Sequence, residues 1–321
     1  MINSGLRVFS GSSNLKLAKK ICEALDVELG ALTRKKFSDG EIWVRFDENI
    51  RGKDVFIIQS TGQPADNLIE LLIIIDAAKR SSAGRITVVL PYYGYARQDR
   101  KDQPRVPISA RLFMDLIVKS GANRIIAMDL HSMQIQGYVD IPFDHLFSRP
   151  ALMKYFRSEG MFDDPDLIVV APDMGSVARS RSIAMYMQKE LAIIDKRRVG
   201  HNVAEAMNVI GNVKGKKCLI IDDMADTAGT MVAAAKHLKE EGAQEVNCAF
   251  THAVLSGPAI ERLKTSEISR IITTDTIALP EEKILPNMEI VSVASLFASS
   301  IKRSHMNESI SDLFYEFNVE S

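Results

Sequence analysis

Residues 218–238 run from a wholly apolar stretch through two adjacent acids and a turn of small residues into an Ala-rich helical pattern, an order few folds accommodate. Cys218 to Ile221 reads as a strand buried on both faces, and Met231 to Leu238 as a helix with an Ala-rich packing face. Asp222-Asp223-Met224-Ala225-Asp226-Thr227-Ala228-Gly229-Thr230 is then a strand-to-helix turn. In open α/β sheets such turns lie at the carboxyl ends of the strands, where the next helix presents unpaired N–H groups and the positive end of its dipole. A phosphate fits there. Thr227 and Thr230 add hydroxyl donors, Ala228 and Gly229 let the backbone come close, and Asp222 and Asp223 can accept hydrogen bonds from sugar hydroxyls. The plainer alternative is an Asp-rich turn with a good N-cap. Two acids directly after an apolar strand weigh against it, since buried carboxylates are costly unless something binds them.

The same grammar recurs along the chain. Apolar runs at 6–10, 55–60, 86–90 and 125–128 alternate with helical periods, one of them Leu15, Ala18, Ile21, Cys22 and Leu25 behind a Ser12-Ser13-Asn14 cap. Further runs at 167–171, 191–194, 218–221, 246–250 and 270–273 repeat the pattern. This alternation predicts an α/β protein of two similar domains, each a mainly parallel sheet flanked by helices, spanning 1–148 and 149–321. A chain of 321 residues, 46% apolar, buries cores of that size. Forty basic against 41 acidic residues leave no global field to recruit nucleic acid or an anionic membrane, and no apolar run is long enough to cross a bilayer. A soluble cytoplasmic protein is expected. Cys22, Cys218 and Cys248 stand in apolar contexts without metal-type spacing and read as buried reduced thiols.

Several strand ends carry groups suited to chemistry. Tyr92 to Asp102 places three tyrosines among Arg97, Arg100 and Lys101, able to stack a base and clamp phosphates, or else a solvated loop whose tyrosines pack on its own base. Asp129 and His131 alternate along an extended segment and can offer an oxygen and an imidazole to a divalent ion, or else His131 is a hydrogen-bonded core residue at a strand end. Asp173, in Pro172-Asp173-Met174-Gly175-Ser176, is either an acid for metal or sugar or the N-cap of the following helix. The strand at 191–194 leaves into Asp195-Lys196-Arg197-Arg198, either an exposed charged face or a loop whose Lys196 and Arg198 can stabilise charge on transferring phosphoryl oxygens. Lys35 to Phe46 reads as a hairpin arm, either a turn with a structural aromatic or one whose Phe37 covers a purine while Asp39 and Glu41 accept from its amino edge or from ribose.

Together these stretches, with Phe9-Ser10-Gly11-Ser12, Gln134-Ile135-Gln136-Gly137 and Phe250-Thr251-His252, resemble the ribose-phosphate diphosphokinase family along essentially the whole chain. The resemblance implies a phosphoribosyltransferase-like fold and transfer of the diphosphoryl group of MgATP to the anomeric hydroxyl of ribose 5-phosphate, releasing AMP. It implies ATP contacts from Phe37, Asp39, Gly40, Glu41, Arg97 and Gln98, the arm serving a neighbouring subunit. Mg2+ positions fall on His131 and Asp173, with Asp129 beside them; Lys196 matches the catalytic lysine and Arg198 its partner. Asp222, Asp223 and the Asp226, Thr227, Ala228, Gly229 and Thr230 loop would hold ribose 5-phosphate. A homo-oligomer, usually a hexamer, is implied, with phosphate and ADP as effectors, and Gln136, Ser309 and Ser311 fall where such regulatory anions bind. Ser176 stands where the family has glycine, and Met133 where a small or polar residue is common. A phosphoribosyltransferase and a non-catalytic subunit of this fold are the rival readings.

Overall fold

The computed structural model describes residues 5–197 and 206–311. They form two compact units: 5–148 with 276–278 and 292–311, and 149–197 with 206–275 and 279–291.

In the first unit β1 (Leu6–Ser10), β4 (Asp54–Ile58), β5 (Arg85–Leu90), β6 (Arg124–Met128) and β7 (Phe143–Leu146) form a wholly parallel sheet in the order β1-β4-β5-β6-β7. Its helices are α1 (Leu15–Leu25), α2 (Asp66–Arg80), α3 (Ser109–Ser120) and α8 (Ala294–Met306). Helix α1 starts where Asn14 accepts the Leu17 N–H and ends at Asp26 in the left-handed conformation, so the cap expected at 12–14 is present. β2 (Leu32–Lys36) and β3 (Ile42–Phe46) pair antiparallel, as expected of the arm.

The second unit holds α4 (Arg149–Ser158), β8 (Leu167–Ala171), α5 (Val177–Met187), β9 (Leu191–Arg197), β10 (Ala206–Ile210), β11 (Lys217–Ala225), α6 (Gly229–Glu240), β12 (Glu245–Ala253), α7 (Ala259–Lys264), β13 (Arg270–Thr274) and β14 (Met288–Val291). Its sheet runs β10-β9-β8-β11-β12-β13-β14, parallel except for β10. Alternate residues of one strand enter two cores. Ile168, Val170, Cys218 and Ile220 pack with Met231, Ala234 and Leu238 of α6, while Val169, Leu219 and Ile221 pack with Phe156 of α4 and Ile183 and Met187 of α5. Burial on both faces is why these strands read as unbroken apolar runs. The strand order reverses between β8 and β11, where such sheets open a crevice at their carboxyl ends.

The expected span 149–321 differs from this division at its end. Helix α8 packs against α1 and belongs to the first unit. Asp54, at the start of β4, takes Arg85 Nε and Nη2 on its two oxygens at 2.8 and 2.5 Å and lies 2.7 Å from His305 Nδ1 of α8. Arg85 also donates to the Ser304 carbonyl at 2.9 Å. The three side chains are mostly buried, so removing one leaves charge without its partner. Asp54→Ala is expected to lower unfolding stability by about 2 kcal/mol, read from urea denaturation, and Asp76→Ala in an exposed helical pair by under about 0.5 kcal/mol.

Candidate active site

Strand β11 is longer than the apolar run that announces it. Asp222, Met224 and Ala225 pair in register with Phe250, His252 and Ala253 of β12, so Asp222 and Asp223 lie within a strand and not in the turn expected there. The turn itself is only Asp226–Ala228. Helix α6 then begins at Gly229 with no side-chain cap, so the capping alternative fails. Ala228 is buried and left-handed, φ 55°, and stands directly before the first turn of α6, a backbone sequence that can turn successive N–H groups toward one point, as anion-binding nests do. Thr227 and Thr230 are exposed beside it. Asp226 faces inward instead, accepting the Ser256 hydroxyl, while the Leu255 and Ser256 N–H groups donate to the Ala225 and Asp226 carbonyls.

The acid pair has a counter-charge that the sequence did not signal. Arg179 of α5 brings Nη1 to 3.3 Å from Asp222 Oδ1 and 3.5 Å from Asp223 Oδ1. Asp222 Oδ1 also accepts the Asp223 N–H at 2.9 Å. Burial pushes the Asp222 carboxyl up to about 8; Asp223 adds to the rise and Arg179 opposes it. Nothing in the local sequence marks Arg179, in the first turn of α5, as the partner of an acid pair on another strand.

Asp173 follows β8, across the strand-order reversal from β11. Its Oδ1 accepts the Ser176 N–H at 2.9 Å, and the Ser176 hydroxyl donates back to the Asp173 carbonyl at 2.9 Å. Ser176 is thus folded into the turn and buried, and its side chain closes the loop on itself. Lys196 lies in β9 opposite Met207 of β10; its side chain lies outside the described residues, as does Arg198 altogether.

In the first unit the arm turns through Phe37 to Glu41, with the Phe37 N–H donating to the Glu41 carbonyl at 2.8 Å and Gly40 at φ 94°, where glycine is favoured. Asp39 Oδ1 accepts the Glu41 N–H, so this carboxylate shapes the turn, while Phe37 is 57% exposed and presents its ring. The arm is anchored at its base by Arg34, whose Nε lies 3.8 Å from buried Glu70, itself bonded to Gln59 and to the Ser12 N–H. In the loop after β5 Tyr92 and Tyr93 are buried, Tyr93 donating to the Ala110 carbonyl at 2.7 Å, and Tyr95 packs on Phe113. The reading of three base-stacking tyrosines therefore does not hold for Tyr92 and Tyr93. Arg97 and Gln98 are exposed, with the Gln98 amide oxygen accepting the Ser109 hydroxyl at 2.6 Å. Gly94 cannot change: a Cβ there would sit 2.2 Å from the Thr61 carbonyl oxygen.

Asp129, at φ 39°, accepts the Ser148 N–H at 3.1 Å, and Leu130 donates its N–H to His145 Nε2 at 2.9 Å. His131 is exposed at the end of this braced segment. Gln136 lies in a short 3-10 turn, Met133–Tyr138, and Met133 is exposed. Ser309 and Ser311 are bonded to each other, and Arg303 holds the Ser309 carbonyl at 2.7 Å. Among the described residues no group of three or more His, Cys, Asp or Glu side chains could hold a metal ion. Single carboxylates and one imidazole fit Mg2+ in its usual enzymatic mode, where one or two protein groups share the ion with substrate phosphates and water. All three cysteines are buried and free, and burial raises the thiol of Cys22 and of Cys218 to about 12. No helix among the described residues is long and apolar enough to cross a membrane.

Between an unfolded value of about 4 and its folded value of about 8, Asp222 keeps a proton that the unfolded chain has lost. Stability therefore falls as pH rises through that window. Asp222→Asn is expected to raise the thermal midpoint at about pH 8 more than at about pH 5, flattening the dependence in parallel melts.

Residues 6–121 match the N-terminal domain of ribose phosphate pyrophosphokinase and residues 197–315 the phosphoribosyl synthetase-associated domain. The ribose-phosphate pyrophosphokinase of Caldanaerobacter subterraneus is 54% identical over 312 residues, 97% of this chain and 98% of its own, and that of Fusobacterium nucleatum 50% identical over 316 residues, 98% of this chain and 100% of its own. The crystal structure of phosphoribosylpyrophosphate synthetase from Mycobacterium smegmatis superposes with a TM-score of 0.89 at 43% identity, over 94% of this chain and 99% of that one. The strand-and-turn architecture and the likeness along the full length agree, and the chain belongs to the ribose-phosphate pyrophosphokinase family.

Proposed function

We propose that the protein transfers the diphosphoryl group of ATP to the anomeric hydroxyl of ribose 5-phosphate, forming 5-phosphoribosyl 1-diphosphate and AMP. The observation that carries the site assignment is the turn between β11 and α6: an uncapped helix N-terminus behind a left-handed residue, with two threonines exposed beside it and an acid pair one step back along the strand. That arrangement suits a sugar phosphate, its phosphate on the N–H groups of residues 228–230 and its ring hydroxyls on Asp222 and Asp223.

In this reading Asp226, Thr227, Ala228, Gly229 and Thr230 seat the 5-phosphate, and Arg179 keeps the acid pair oriented. Phe37 stacks on the adenine, and Asp39, Gly40, Glu41, Arg97 and Gln98 complete the nucleotide contacts, with the arm of one subunit serving its neighbour. Lys196 and Arg198 neutralise charge on the transferring oxygens, the main protein contribution in phosphoryl transfer. One or two of the candidates His131, Asp129 and Asp173 would hold Mg2+ together with substrate oxygens, and the ion would supply Lewis-acid neutralisation of charge on the diphosphoryl group. Holding the ribose in line removes the orientational cost of a bimolecular step. Phosphate as activator and ADP as inhibitor, acting near Gln136, Ser309 and Ser311, and a cytoplasmic homohexamer complete the proposal.

Incubation with ATP, Mg2+ and ribose 5-phosphate should yield AMP and the 1-diphosphate in equal amounts by ion-exchange chromatography; ADP as the nucleotide product would refute diphosphoryl transfer. Lys196→Ala should lower kcat by about 100-fold or more while leaving the fold intact by circular dichroism. Retention of turnover within about threefold would remove Lys196 from the mechanism.

A further inference from the structure

Arg262 is an exposed residue of α7 that sequence patterning does not single out, yet it reaches the centre of the β11–α6 turn. Its Nη1 donates to the Thr227 carbonyl at 3.0 Å. The same nitrogen lies 3.1 Å from where a Cβ on residue 229 would stand, so the guanidinium approaches the turn closely where Gly229 leaves space. The approach is fixed at the other end of the same connection, where the Leu255 and Ser256 N–H groups bond the Ala225 and Asp226 carbonyls and Lys283 donates to the Leu255 carbonyl at 2.8 Å.

The direction of that one bond decides the direction of a neighbouring donor. The Thr227–Ala228 peptide is trans, so its C=O and N–H point opposite ways. With the carbonyl drawn to Arg262 on the α7 side, the Ala228 N–H is turned away from α7. Ala228 is left-handed, a conformation that costs a residue with a Cβ about 1 kcal/mol or more. A peptide flip toward ordinary helical angles would relieve that cost and break the row of N–H groups over residues 228–230. The charged hydrogen bond from Arg262 opposes the flip, and its positive charge lies close to the turn that receives the anion.

We infer that Arg262 is a positioning residue for ribose 5-phosphate: it clamps the Thr227 carbonyl so that the following N–H groups face the 5-phosphate. This rests on the reading of the Asp226–Thr230 turn as the seat of that phosphate. Arginine suits the task because its planar fork directs the donor to the carbonyl, and lysine keeps the charge with less directional control.

The test compares Arg262→Ala, Arg262→Lys and Thr230→Ala in steady-state kinetics, with calorimetric titration of ribose 5-phosphate and urea unfolding of each variant. Arg262→Ala is expected to raise the KM for ribose 5-phosphate about tenfold and to weaken its calorimetric affinity by the same factor, with kcat and the KM for ATP within about twofold. Arg262→Lys should recover to within about threefold of the parent protein. Arg262→Ala without effect on ribose 5-phosphate, alongside a Thr230→Ala variant that binds it poorly, overturns the role of Arg262 and leaves the seat in place. Both variants without effect move the seat elsewhere and overturn the inference with it. Equal losses for both substrates, or an unfolding midpoint that drops in step with KM, make Arg262 a general structural support and overturn the positioning role.

Discussion

Two carboxylates side by side at the end of a buried strand are tolerated only with a counter-charge within reach, and the contact of Arg179 with Asp222 and Asp223 supplies it. The contact depends on α5 following β8 at the point where strand order reverses, because that is what sets a cation of one helix against the acids of the adjoining strand. Even so the compensation is incomplete: Asp222 stays protonated well above the ordinary carboxylate range. A protonated carboxyl offers a donor as well as acceptor oxygens, and a hydroxyl, which both donates and accepts, can pair with either.

Legibility in the sequence followed the range of the forces involved. The strands around Val169 and Ile220 were readable because their burial on both faces leaves an unbroken apolar run, and α1 because its buried face repeats at helical spacing behind Asn14. The arm was readable from alternation around Trp43. What was misplaced was the end of β11. Its last residues are polar, and only their pairing with β12, which also overruns its apolar segment, keeps them in the sheet.

The residues that escaped notice act across the fold. Arg179, Arg262, Ser256 and Glu70 each serve a segment distant in sequence, and nothing in their immediate neighbours distinguishes them from ordinary surface or helix residues. Ser176 teaches the converse. The departure from glycine is visible in one line of sequence, but its effect, a hydroxyl turned back onto the Asp173 carbonyl, is decided by the geometry of the turn. Asp39 and Gln98 likewise each carry a bond within their own loop or to the helix beside it, which sequence pattern alone does not reveal.

The last helix has a consequence for how the protein comes into being. Helix α8 closes the first unit on α1, and the bond from His305 to Asp54 spans 251 positions of chain. A ribosome that has released the first 148 residues has therefore not yet released a finished unit, since α8, one of the four α-helices among its described residues, is still unsynthesised. The unit at the front of the gene must wait, with part of α1 uncovered, while the whole second unit is made. Birth order and folding order are inverted here, so a message truncated shortly before its end leaves both an absent tail and an open core at the beginning.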